Sequence, residues 1–209
     1  MFDTIALILV GWLLGLLGQP IIDAIRKGYQ KKEIQTAIIS ELKEIQYRLV
    51  CNVYLINRRF GTIDNQLLNW SFKILKDYNG PYSDRQVLDA LERQLNLKDE
   101  QLASLGEIMK PDKSQAITLR KFTTPFLDFH IGSLSMFPPS YQLKLFEIKS
   151  QLGLLNDQIE DTKFYYKMTF EANISTENYN AVCCNLEQGY KSIADKAKNI
   201  VDSIGSSFH

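Results

Sequence analysis

The sequence predicts an all-α protein: an N-terminal transmembrane helix, continuing into a stem helix and a cytosolic antiparallel helical bundle. Three observations carry that expectation. Residues 5–22, IALILVGWLLGLLGQPII, hold no charge and are apolar all round. Beyond them, apolar residues recur at steps of three and four over most of the chain. Strand-like alternation never persists, and no hairpin turn joins two alternating segments.

The apolar run comes first. At about 1.5 Å per residue, its eighteen positions span about 27 Å, slightly less than the ~30 Å hydrocarbon core of a bilayer. Met1-Phe2-Asp3 brings no basic residue, and no small-x-small cleavage site follows, so a signal peptide is disfavoured. Asp3 precedes the run, whereas Arg26, Lys27, Lys31 and Lys32 follow it directly. The positive-inside rule then puts the C-terminal side in the cytosol, at the inner membrane, with these four cations against anionic lipid. Gly11, Gly15 and Gly18 repeat on one side of the run, a spacing that lets two membrane helices approach closely. The same glycines also occur in helices that pair with nothing.

After the anchor, residues 1–24, a stem helix is expected over 25–60. Its stripe is Ile38, Leu42, Ile45, Leu49, Val53 and Ile56, with Gly61 as its terminator. The stem either packs on the domain or coils with another copy. Residues 61–209 form the bundle. Helices are expected at 63–78, ended by Asn79-Gly80-Pro81, and at a short segment capped by Ser83 or Asp84. Others are expected at 99–109 and at 113–129, the latter kinked or divided at Pro125. Residues 132–140 read as a loop. A helix over 141–171 would seat Leu145, Ile148, Leu152, Leu155, Ile159, Tyr166 and Phe170 on one seam. The last helix, capped by Ser175 or Thr176, would seat Tyr179, Val182, Leu186, Tyr190, Ile193, Ala197, Ile200 and Ile204.

Composition narrows the function classes. Twenty-four basic residues balance twenty-four acidic ones, which disfavours a dedicated nucleic-acid binder. Three cysteines and two histidines give little for a metal site, and the adjacent Cys183 and Cys184 point about 100° apart on a helix. No HExxH, GxxxxGK[ST] or GxGxxG occurs. His130, in FLDFHIG beside Asp128, reads as a core or surface histidine. Nucleases of the HEPN class need an arginine four to six residues before a histidine; Arg120 is too far from His130, and His209 is terminal. A cryptic nuclease would therefore have to depend on His130 in some other way. Asp157, Glu160 and Asp161 read as a solvated helix face rather than a magnesium site. Neither catalytic nor metal residues are expected, no cofactor is implied, and an enzyme is disfavoured. Basic residues do recur, and Arg58, Arg59, Arg120 and Lys121 are the candidate contacts for an anionic ligand.

The layout, with ALILVGWLLGLLGQPIIDAIRK leading into EIQTAIISELKEIQYRL and a helical domain, resembles small single-pass bacterial membrane effectors and accessory proteins of anti-phage systems, including CRISPR-associated ones. The resemblance is architectural, covers the first third of the chain and transfers no functional residue. It implies a non-enzymatic, oligomeric membrane protein that perturbs or permeabilises the inner membrane. Its partners would be the lipid bilayer, further copies of itself, and a nucleotide second messenger, RNA or protein as trigger. The alternative expectation is a tethered scaffold that recruits a cytosolic protein or nucleic acid.

Overall fold

A computed structural model describes residues 2–81, 83–109, 117–171 and 173–207, with the backbone alone for residues 2–10, 13, 14, 17 and 109. The expectation for His209 lies outside these residues, as does the start of the expected 113–129 helix. The described residues are all-helical, with no strand. Seven α-helices follow in order: α1 (Phe2–Phe60), α2 (Asn65–Lys76), α3 (Arg85–Leu95), α4 (Asp99–Met109), α5 (Pro125–Phe129), α6 (Pro139–Met168) and α7 (Thr176–Ser207). A 3-10 turn, Ile131–Met136, joins α5 to α6.

Helix α1 runs for 59 residues with Pro20 inside it. It ends where expected: Gly61 takes φ 66°, its N–H bonds the Arg58 carbonyl, and the Thr62 N–H bonds the Asn57 carbonyl. A side chain at Gly61 would be strained in that left-handed conformation. Of the two arrangements open to the stem, packing on the domain is the one found. From Ile34 onward α1 is core: Ile34, Ile38, Leu42, Ile45, Leu49, Val53 and Ile56 are buried, and Tyr47, Val50 and Tyr54 add a second buried face.

Helix α7 packs against both α1 and α6. It runs antiparallel to α1, because Gln46 Nε2 bonds the Val201 carbonyl at 2.9 Å while Phe60 lies against Tyr190. The α2–α3 pair leans on α1, with Asp64 and Asp84 capping the two helix starts. On the seam of α6, Leu145, Ile148, Leu152, Leu155 and Ile159 are buried as expected. Phe170 is exposed, because α6 ends at Met168, and Tyr179 is exposed in the first turns of α7. Ser175 caps α7, its hydroxyl accepting from the Asn178 N–H.

The 113–129 expectation is corrected. Residues 117–124 are not helical, and only Pro125–Phe129 is. Proline disfavours helical geometry in the residue before it, and side chains from distant helices replace the helical hydrogen bonds. Asn156 of α6 accepts from the Phe122 N–H and donates to the Phe122 carbonyl, both at 2.8 Å. Glu41 of α1 accepts from the N–H groups of Phe126 and Leu127, at 2.8 and 3.0 Å, and so caps α5. This strap bridges α1 to α6. The expected loop at 132–140 is mostly the 3-10 turn, and α6 opens at Pro139 rather than Tyr141, since proline is favoured in a first turn.

Glu41→Ala should strand both α5 N–H groups and cost about 2–3 kcal/mol, the scale for losing hydrogen bonds to a charged acceptor. Chemical denaturation checks this; Glu44→Ala, one turn-face away, should change stability by less than about 0.5 kcal/mol.

Candidate functional site

Two features stand outside ordinary core packing. The first is the exposed N-terminal part of α1. Trp12, Leu16, Ile21, Ile22, Ile25 and Tyr29 are all more than half exposed, and burial begins only near Ile34. A Cβ placed at Gly11, Gly15, Gly18 or Gly28 would meet nothing within 4 Å. The three candidate association glycines fall in a sector of about 60° on an ideal helix and face open space. Among the described residues no helix is long and apolar enough to cross a membrane. Half of the 5–22 run lies outside that description, since its residues 5–10, 13, 14 and 17 have backbone alone. Arg26, Lys27 and Lys32 are exposed, while Lys31 is half-buried with its ammonium 5.6 Å from the Phe137 ring centre.

The second feature is a cleft of about 530 Å³ between α1 and the strap. Tyr47, Arg48, Cys51 and Asn52 line it from one side of α1; Thr118, Arg120 and Phe122 line it from alternate positions of the extended strap. The Arg48 guanidinium lies 5.1 Å from the Phe122 ring centre, and Asn156 fixes Phe122 from behind. Arg120 is exposed. Burial pushes the Cys51 thiol up from its ordinary value, and burial does the same to the Tyr47 phenol, whose oxygen accepts from the Asp84 N–H. Both groups therefore stay neutral near pH 7, and the arginines supply the charge of the cleft.

The four candidate anion contacts do not come together. Arg120 shares its cleft with Arg48 rather than with Arg58 or Arg59. Those two lie in the last turn of α1, about 15 Å beyond Arg48 along the helix. Arg59 lies 6.0 Å from the Phe60 ring centre; burial pushes the Tyr190 hydroxyl up, against the opposing pull of its hydrogen bond to the Ile117 carbonyl and of the Arg59 charge. Lys121 turns to α6 and pairs with Glu160 at 3.6 Å. The Glu160 carboxyl is held below its usual range, chiefly by the Lys163 hydrogen bond and then by Lys121. Arg48 and Asn52 escaped the sequence reading because they flank the apolar stripe and look like solvent-facing residues. Only the strap, set by tertiary contacts, turns that flank into a wall.

The remaining chemistry-bearing residues are placed simply. His130 closes α5, its ring 4.4 Å from that of Phe126 and 4.9 Å from that of Phe129. Asp157, Glu160 and Asp161 are exposed on α6. All three cysteines are free. A further cleft, lined by Lys43, Lys73, Trp70, Asp77 and Asp202, balances its cations with carboxylates, and the Trp70 indole N–H donates to Asp202 at 2.9 Å. Comparison with known proteins gives no matching family model, no similar curated protein and no similar solved structure.

Proposed function

We propose that this chain is a membrane-anchored, non-enzymatic effector or accessory subunit. The N-terminal part of α1 sits in the bilayer, and the bundle hangs from it on the cytosolic side. Arg26, Lys27, Lys31 and Lys32 meet the anionic headgroups. Copies assemble along the face of Gly11, Gly15 and Gly18, and the assembled anchors perturb the membrane. Anti-phage defence is the setting that the layout resembles.

One observation carries the reading. Helix α1 is continuous, yet its bundle contacts stop near Ile34 and leave a projecting apolar arm with Trp12, Leu16, Ile21, Ile22 and Ile25 exposed. Contiguous apolar surface of that kind marks a site that something else covers. The uncharged run at 5–22 and the cations after it suit a lipid bilayer.

The test is extraction of membranes from expressing cells with alkaline carbonate. The wild-type chain should stay in the pellet. The pair Leu9→Arg and Leu13→Arg, at about 2.5–3.5 kcal/mol per mid-span arginine, should abolish insertion. Release of the wild-type chain by carbonate would sink the anchor. Membrane perturbation is then read as loss of potential in intact cells on induction; a chain that never depolarises them is not a permeabilising effector.

A tethered binding module is the second reading, favoured by the burial of the stem in its own bundle. That burial leaves residues 34–56 little surface for coiling with another copy. The mass of the full chain in mild detergent separates the two: a ring-sized oligomer supports assembly, and a monomer supports the tether.

A further inference from the structure

We infer that the cleft between α1 and the strap is a binding site for the phosphate group of a small phosphorylated molecule. The inference goes beyond the membrane reading and does not rest on it.

The first argument is charge. Arg48 and Arg120 come from chain segments 72 positions apart in sequence and line the same cleft. Among its described lining residues no carboxylate is present. Glu44, one turn before Arg48, pairs with that guanidinium at 3.9 Å along α1 but does not line the cleft. The neighbouring cleft with Lys43 and Lys73 neutralises its cations with Asp77 and Asp202. This one is lined by two arginines with no lining carboxylate between them, so an anion entering it would meet both charges.

The second argument is donor number and rigidity. Besides the two arginines, the lining includes Asn52, which carries an amide, and Thr118, which carries a hydroxyl. Together they exceed what one carboxylate accepts and suit the several oxygens of a phosphate. The Arg48 guanidinium is placed in advance by the Phe122 ring, and Phe122 by both of its backbone bonds to Asn156. A guanidinium held in place loses less side-chain entropy on binding than a free one. Tyr47 and Cys51, held neutral by burial, add no opposing charge. A cleft of about 530 Å³ also falls in the range of small-molecule sites.

The experiment is isothermal titration of the detergent-solubilised full chain with inorganic pyrophosphate at constant ionic strength. Saturable binding is expected. Arg120→Gln, at an exposed position, should weaken it by about tenfold or more, the scale of one charge-assisted bond. Arg48→Gln should weaken it comparably, whereas Arg58→Gln, outside the cleft, should stay within about twofold. Absence of binding at millimolar pyrophosphate overturns the inference. So does an equal loss from Arg58→Gln, which would mean general surface attraction. A single-stranded RNA that binds far more tightly than pyrophosphate, with the same Arg120 dependence, would overturn the small ligand in favour of a nucleic acid. Carbonate extraction reads the anchor separately, so failure of either idea leaves the other standing.

Discussion

Leu49→Ala is expected to lower stability by about 3 kcal/mol, a fall of about 6–12 °C in Tm for a chain of this size. Leu49 is fully buried on α1, between Ile45 and Val53 of the same stripe. Its truncation removes the transfer free energy of three heavy atoms and leaves a cavity that close-packed neighbours refill only in part. Because α1 is buried on two faces, with Tyr47, Val50 and Tyr54 on the second, it has little room to shift inward. Leu55→Ala on the same helix supplies the control. Leu55 is 43% exposed, and its loss should cost well under about 1 kcal/mol. Thermal unfolding of both variants under identical conditions checks the contrast. Equal losses would mean that this part of α1 is not the centre of the core.

Gly189→Val should cost about 2–4 kcal/mol, and the sign of Gly189→Ala should depend on residue 162. A Cβ on Gly189 of α7 would stand 2.6 Å from Thr162 Oγ1 of α6 and 3.4 Å from both Cβ and Cγ2 of that threonine. Thr162 is buried, and its hydroxyl donates to the Gln158 carbonyl at 2.7 Å, so it cannot simply swing away. Alanine would gain about 1 kcal/mol of helix propensity over glycine, yet that contact outweighs the gain. A Thr162→Ala background removes Oγ1 and Cγ2 and leaves, of the three contacts, only the Cβ at 3.4 Å. Gly189→Ala should then stabilise. A double-mutant cycle by chemical denaturation reads the change of sign, and additive effects would show that α6 and α7 do not meet at this point.

The long elements were legible because their periodicity is a local record of burial. The stripe from Ile38 to Ile56, the seam from Leu145 to Ile159 and the face from Val182 to Ile204 each face the core as their spacing requires. Chain ends of these seams were not, since Phe170 and Tyr179 continue the spacing where the backbone has stopped packing. Residues 117–124 depart from the helical expectation for a different reason, while 125–129 are helical beyond the division at Pro125. The hydrogen bonds here come from Asn156, 34 positions from Phe122, and from Glu41, 85 positions from Phe126, and no local pattern records such partners. The same distance hid the pairing of Arg48 with Arg120, although Arg120 itself was identified. Lys121, its neighbour, was drawn into an ion pair with α6 that its sequence context does not reveal.

The continuity of α1 has a geometric consequence for its projecting arm. Pro20 removes one backbone hydrogen bond and is a place for the axis to bend, but the helix is unbroken to Phe60 and so carries angular phase from the bundle into the arm. The packing of Ile38 and Leu42 in the bundle thereby fixes the compass direction in which Gly11, Gly15 and Gly18 point. One residue inserted between 25 and 33 would turn that direction by about 100° and advance it by about 1.5 Å, while seven would nearly restore it. The arm is thus a spoke keyed to its hub: whatever reorients the hub about the helix axis must sweep the glycine face through the same arc.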